Sequence, residues 1–248
     1  MSSSVPAIPE TQPPLSEAQR VLDTFVAPTQ TFADLRRSSN WLVPFLVITI
    51  ATIALVFVAD RKIGFEKIVE NQLAMQPQQA ARLDQLSVED RARRMQTIVS
   101  FNRSVAYMYP IFILIFLVII AAVLLATFNF GLGTEVTFNQ SLAVCVYASL
   151  PSVIKALLAM LVLFIGAGEA FTFQNPIASN LSGLFDPSSH FLYAAGLNLD
   201  IFNGWTIALT GIGFACLTRI KRSTCLGVLF GWWAVWVLAI SGISAVFS

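Results

Sequence analysis

A chain of 248 residues with 56% apolar side chains, 12% charged ones and a mean hydropathy of +0.72 is too apolar for a soluble domain, which carries about 25% charged residues. Its 15 Lys and Arg against 14 Asp and Glu leave a net charge of +1, which gives no electrostatic footprint for a nucleic-acid partner. One histidine and three scattered cysteines exclude a zinc finger, an iron–sulfur cluster and a disulfide framework. The lipid bilayer is therefore the first partner the composition implies, and no cofactor is expected.

Residues 1–14 (MSSSVPAIPETQPP) hold four prolines and little to bury, which predicts a disordered tail. They lack the basic start, apolar centre and small-residue cleavage site of a signal peptide, so the first membrane helix is expected to stay in the mature protein. Leu15, Ala18, Val21, Leu22, Phe25 and Val26 recur at helical spacing. That pattern predicts an amphipathic helix in the headgroup layer, within an interfacial segment 15–38 and ended by Pro28.

The remainder, 39–248, reads as a transmembrane domain. A helix needs about 20 residues to cross the ~30 Å hydrocarbon layer, at ~1.5 Å per residue. The first span is expected at about 41–59, closed by Asp60, Arg61 and Lys62. A polar insertion, 60–103, follows with eight basic and six acidic side chains. Its Ala, Gln, Leu and Arg content predicts two helices joined by a turn at Pro77, the second continuing into the next span.

The second span, about 107–132, is entered through Tyr107, Tyr109 and Pro110. The third, about 138–166, is longer than one upright helix needs and carries Pro151 near its middle, which predicts one tilted or bent helix. A short fourth span, 201–218, ends at Arg219, Lys221 and Arg222, and a fifth occupies 224–247. The expected fold is all-α: a five-helix transmembrane bundle with an N-terminal amphipathic helix and a helical polar insertion. The absence of an internal repeat argues against a secondary transporter.

Orientation follows from basic residues in short loops. With the N-terminus cytoplasmic, Arg36, Arg37, Arg219, Lys221 and Arg222 face the cytoplasm as candidate contacts, and the loop from Glu169 to Asp200, without Lys or Arg, faces out. The eight basic residues of 60–103 would then lie outside, which is the opposing vote.

Intramembrane catalysis needs acids or nucleophiles at membrane depth, and the five spans carry no Asp or Glu in their interiors. No H-E-x-x-H, P-loop or G-x-S-x-G is present, and His190 reads as an ordinary loop residue. No enzyme is expected. Lys155 is the one charge inside a span, where insertion costs about 2.5–3.5 kcal/mol. It either faces the bundle interior, with Asp200 or Glu169 as partner, or snorkels to the interface past a bend at Pro151.

Gly227 and Gly231 form a G-x-x-x-G, and Gly204, Ala208, Gly211 and Ala215 make a similar stripe. Both predict close helix packing within the chain, with a homo-oligomer through Gly227 and Gly231 as the alternative. Cys145, Cys216 and Cys225 read as small apolar residues. Trp232, Trp233 and Trp236 sit too far into the fifth span for all three to be interface anchors.

The ordered set FVAPTQTFADL (25–35), NWLVPFL (40–46), YASLP (147–151) and LDIFNGWTIALTGIGFACLTRIKRSTCLGVLFGWW (199–233) resembles the Yip1 family of multi-pass membrane proteins, in its bacterial form. The resemblance covers roughly residues 20–245, with Tyr147 and Pro151 similar to that family's tyrosine and proline pair. It implies a five-helix membrane domain with a cytoplasmic N-terminus, in a bacterial cytoplasmic membrane. Eukaryotic members are implicated in vesicle traffic and bind prenylated Rab-type GTPases. Their D-L-Y-G-P type motif is missing here, and the segment 60–103 is characteristic of the bacterial branch.

Two functions are expected to compete. One is a non-catalytic organiser or adaptor that holds lipid, membrane-protein or cytoplasmic-protein partners. It expects Lys155→Met to leave folding and partner capture intact. The other is a small transporter or permease subunit in which Lys155 and the Pro151 kink line a path for an anion. It expects the same substitution to abolish flux.

Overall fold

The computed structural model describes residues 13–166 and 168–247, so the expected Pro-rich tail, 1–14, lies outside the described residues except for Pro13 and Pro14. Eleven α-helices are described: α1 (Glu17–Val26), α2 (Pro28–Asp34), α3 (Leu42–Lys62), α4 (Phe65–Ala74), α5 (Pro77–Asp84), α6 (Val88–Ala126), α7 (Phe138–Ala148), α8 (Pro151–Phe164), α9 (His190–Asn198), α10 (Ile201–Leu217) and α11 (Arg222–Phe247). Among the described residues the single extended pairing is an isolated antiparallel bridge between Asn180 and Asp200.

Four candidate spans are long and apolar enough to cross a membrane: Leu42–Lys62, Val88–Gly131, Phe138–Phe164 and Arg222–Val246. The expected fourth span exists as α10, but at 17 residues it covers only about 25 Å, short of the full hydrocarbon thickness.

Several expected boundaries are corrected. The insertion contains three helical pieces rather than two, because Pro77 does not merely punctuate: it stands in the first turn of α5, where its missing N–H costs nothing. α6 then starts at Val88, with Ser87 Oγ accepting from Asp90 N at 3.1 Å. It runs for 39 residues through Pro110, about 58 Å, so insertion and second span share one continuous helix. Its end widens into a π-turn, Thr127–Gly131. Asn129 closes that turn, accepting from Thr134 Oγ1 and Val136 N and donating to Val136 O.

The third span is broken rather than bent. α7 stops at Ala148 and Pro151 opens α8, because proline cannot donate to the carbonyl four residues back and its ring clashes there. That carbonyl, Tyr147 O, accepts from Leu150 N at 3.1 Å instead. His190, expected in a loop, is the first residue of α9.

The chain divides into two compact units, the first made of the described part of Met1–Thr49 with Ile113–Ser152 and Phe202–Trp236, the second of Ile50–Phe112, Val153–Ile201 and the described part of Val237–Ser248. In the first unit Phe32, Leu35, Val144, Tyr147 and Phe214 are fully buried, and Phe128 stacks on Phe214 with ring centroids 4.2 Å apart. In the second, Ala59, Ile68, Leu163 and Phe171 form a buried cluster with Ile63 and Phe173 against it. The insertion contributes to this core: α4 buries Phe65, Ile68 and Val69, and Asn71 Nδ2 donates to the carbonyls of Glu169 and Phe171.

Candidate functional sites

α1 begins with a capping box, in which Ser16 Oγ accepts from Gln19 N while Gln19 Oε1 accepts from Ser16 N. Its burial is inverted relative to a soluble amphipathic helix. Arg20 and Thr24 are buried, whereas Leu22 and Val26 are 65% and 80% exposed. Burying a guanidinium requires a full set of acceptors. Arg20 Nε donates to Asp34 Oδ2 at 2.8 Å, and Nη1 donates to Glu17 Oε1 and to the carbonyl of Ser38.

Glu17 extends the network, accepting from Tyr147 Oη at 2.9 Å and Asn40 Nδ2 at 3.2 Å. Burial alone would lower the Arg20 pKa, but the hydrogen bond and charge of Asp34, helped by Glu17, more than offset it, and the net shift is upward. The cluster thus pins the α1–α2 hairpin to α7 through a permanently charged centre. Sequence reading singled out Tyr147 but missed Glu17, Arg20 and Asp34.

The basic residues gather on the same unit. Arg36, Arg37, Arg219, Lys221 and Arg222 are all exposed. Arg222 Nη2 donates to Thr29 Oγ1 at 2.8 Å, which joins the start of α11 to α2. Cys216 Sγ lies 3.8 Å from the Thr29 carbonyl. Arg222, from the second of the two short basic runs, is thereby tied to the hairpin that precedes the first.

In the second unit Lys155 is not unpaired. Its Nζ donates to Asp200 Oδ2 at 2.9 Å, with the carboxylate side chain 0% exposed and the lysine 22%. Ser179 Oγ donates to the same carboxylate oxygen, and Ile201 N donates to Ser179 O. The ion pair, the hydroxyl and the Asn180–Asp200 bridge together hold the segment before α10 against α8. Of the two partners expected for Lys155, the structure selects Asp200.

Pro151 is buried at the first position of α8, where its role is to end α7. Gly227 and Gly231 do not make the expected packing within the chain: a Cβ built on either meets nothing within 4 Å, so no neighbouring helix among the described residues approaches them closely. Close packing uses other glycines. A Cβ on Gly213 would come 2.5 Å from Val144 Cγ1 and 3.1 Å from Phe32 Cδ1, and one on Gly211 would come 2.7 Å from Leu226 Cδ2. Trp232 Nε1 donates to Thr127 Oγ1, Trp236 packs on Phe116, and Trp233 on Phe230. The three cysteines are free and buried.

These features define a multi-pass helical membrane protein whose Lys155 is paired with Asp200 and whose Arg36, Arg37, Arg219, Lys221 and Arg222 are exposed on the unit that holds the N-terminal helical hairpin. The Yip1 domain family model matches residues 22–246, and the chain belongs to the Yip1 family. No curated protein and no solved structure matches it.

Proposed function

We propose that this Yip1-family chain is a non-catalytic membrane organiser or adaptor, and that its contact surface is the basic face beside the α1–α2 hairpin. One observation carries the reading: five exposed basic side chains stand on a scaffold anchored by a buried ion pair, 2.7 Å from Arg20 Nη2 to Asp34 Oδ2. A rigid element presenting charge suits recognition, since little ordering entropy is lost when a partner binds. α10 serves as a fifth, short span, bounded by Asp200 and Arg219. With five crossings and the positive-inside bias, the N-terminus and the basic face are cytoplasmic and the C-terminus is on the far side of a bacterial cytoplasmic membrane. The transport reading loses its motive, because the charge that suggested it is committed to Asp200.

The test is capture of the tagged protein from its native membrane in mild detergent, with partners identified by mass spectrometry. A partner near one-to-one stoichiometry is expected. Its recovery should fall by about tenfold or more when Arg219, Lys221 and Arg222 are changed to Gln, the loss that ~1.4 kcal/mol produces. Recovery of the chain alone, or only with itself, would overturn the adaptor reading.

A further inference from the structure

The polarity of α1 is turned inside out. Ala18, Leu22 and Val26 recur every four residues along one face and are exposed, Leu22 by 65% and Val26 by 80%. The opposite face carries Arg20 and Thr24, and these, with Thr31 and Asp34 of α2, are each 5% exposed or less. Water favours the reverse arrangement, whereas in lipid ionisable side chains turn to the protein interior and find partners there. The bonds of Arg20 to Asp34 and Glu17 supply those partners.

The hairpin also lies alongside helices at membrane depth. Thr29 touches Cys216 and Arg222 near the basic end of α10. Farther in, a Cβ on Gly213 would come 3.1 Å from Phe32 Cδ1, and Phe25 meets Trp205 edge-on with ring centroids 5.8 Å apart. Trp205 stands about 18 Å along α10 from Leu217, deeper than the headgroup layer. Glu17 in turn accepts from Tyr147 Oη, and Tyr147 lies about 14 Å from the start of the candidate span Phe138–Phe164. Trp205 is itself 36% exposed, so the lipid-facing surface of α10 continues onto α1.

We propose that the Ala18–Leu22–Val26 face of α1 is a lipid-binding surface, seated among the upper acyl chains of the leaflet whose headgroups meet Arg219, Lys221 and Arg222. Helices that present aliphatic side chains to a bilayer settle about 5–10 Å into the boundary between headgroups and acyl chains. A protein occupant would find too little here: a strip one helix wide and about 15 Å long offers far less than the ~800 Å² per partner of a standard interface. The surface requires α10 to cross the bilayer, as read above, and reporter fusions on its two sides test that crossing separately.

The experiment places a bimane label on L22C or V26C in the full-length protein, reconstituted in phosphatidylcholine vesicles with iodide available on both sides. I119C, at an exposed position of the α6 span, is the lipid reference, and S188C, at an exposed position between α8 and α9, is the aqueous one. The unsubstituted protein, whose three cysteines are buried, gives the background. Brominated acyl chains should quench the labels at 22 and 26 about twofold or more above the label at 188, close to that at 119, and iodide should do the opposite. Iodide quenching at 22 and 26 equal to that at 188, with no excess from brominated lipid, would put the face in water and overturn the proposal. Protection from both quenchers would place a protein on the face, a second copy or another partner, and would overturn the lipid assignment. None of these labels touches the basic residues on which partner capture is scored, so the adaptor reading stands or falls by its own test.

Discussion

Arg20 shows how much one residue can hold in place. Its guanidinium is buried between Asp34, Glu17 and the Ser38 carbonyl, so removing it takes the nearest cation from Glu17 and from the buried Asp34, which keeps the longer 3.9 Å contact to Arg37. Arg20→Met should lower stability by about 3–5 kcal/mol, and adding Asp34→Leu should recover much of that, since replacing both members of a buried pair is often near neutral. Reversible unfolding in mixed micelles measures both. Because the Arg20 pKa is raised, its contribution is complete below the ordinary arginine range and is lost only above it, so it does not vary with pH near neutrality. Lys155→Met, in turn, leaves Asp200 charged and buried. It should cost about 3 kcal/mol or more, with part restored by Asp200→Asn, so the expectation that this substitution would spare folding is withdrawn. Lys155 was legible because a lone charge in a span must find a partner. Arg20 was not, because its helix reads as amphipathic surface and its partner lies beyond the chain reversal at Pro28.

Among the elements, glycine contacts separate real helix crossings from apparent ones. Gly213→Ala should destabilise by about 1–3 kcal/mol through overpacking against Val144 and Phe32. Gly196→Ala should be less tolerated still, since its Cβ would fall 2.7 Å from Ser182 Cα, a backbone atom that cannot rotate away. Gly227→Ala and Gly231→Ala should stay within about 0.5 kcal/mol, as changes at open surface do. The G-x-x-x-G pattern identified small residues but could not say which face of α11 meets protein, since apolar residues cover every side of a membrane helix. The proline breaks at 77 and 151 were visible as positions; that each starts a new helix depends on the local chain path. α10 was visible as an apolar run, and its 17 residues are what leave the count of long spans at four.

At the scale of the whole molecule, the apolar arithmetic and the ordered motifs carried both the membrane class and the family, because hydropathy reports directly on the solvent that the chain occupies. Less was legible in the insertion. Its composition is polar, yet α4 buries Phe65, Ile68 and Val69 and Arg103 bridges to Asp60 at 3.0 Å. With both side chains partly exposed, that bridge is worth at most about 1 kcal/mol. The five crossings and cytoplasmic N-terminus proposed above set a topology test: reporter fusions after Ser38 and after Arg222 should give the same cytoplasmic signal, and a fusion after Asp186 the opposite one. A signal after Arg222 that matches the one after Asp186 and differs from the one after Ser38 would remove α10 from the set of spans.

The bond from Tyr147 to Glu17 joins residues 130 positions apart, whereas Arg20 meets Asp34 across 14. At a synthesis rate of ~5–20 residues per second, the hairpin can close on its own ion pair almost at once after Asp34, then waits roughly 6–23 s for Tyr147 to be made. For that interval Glu17 lacks the phenol that later receives it. A nascent chain halted before Tyr147 would therefore expose α1 to a protease that the finished protein resists.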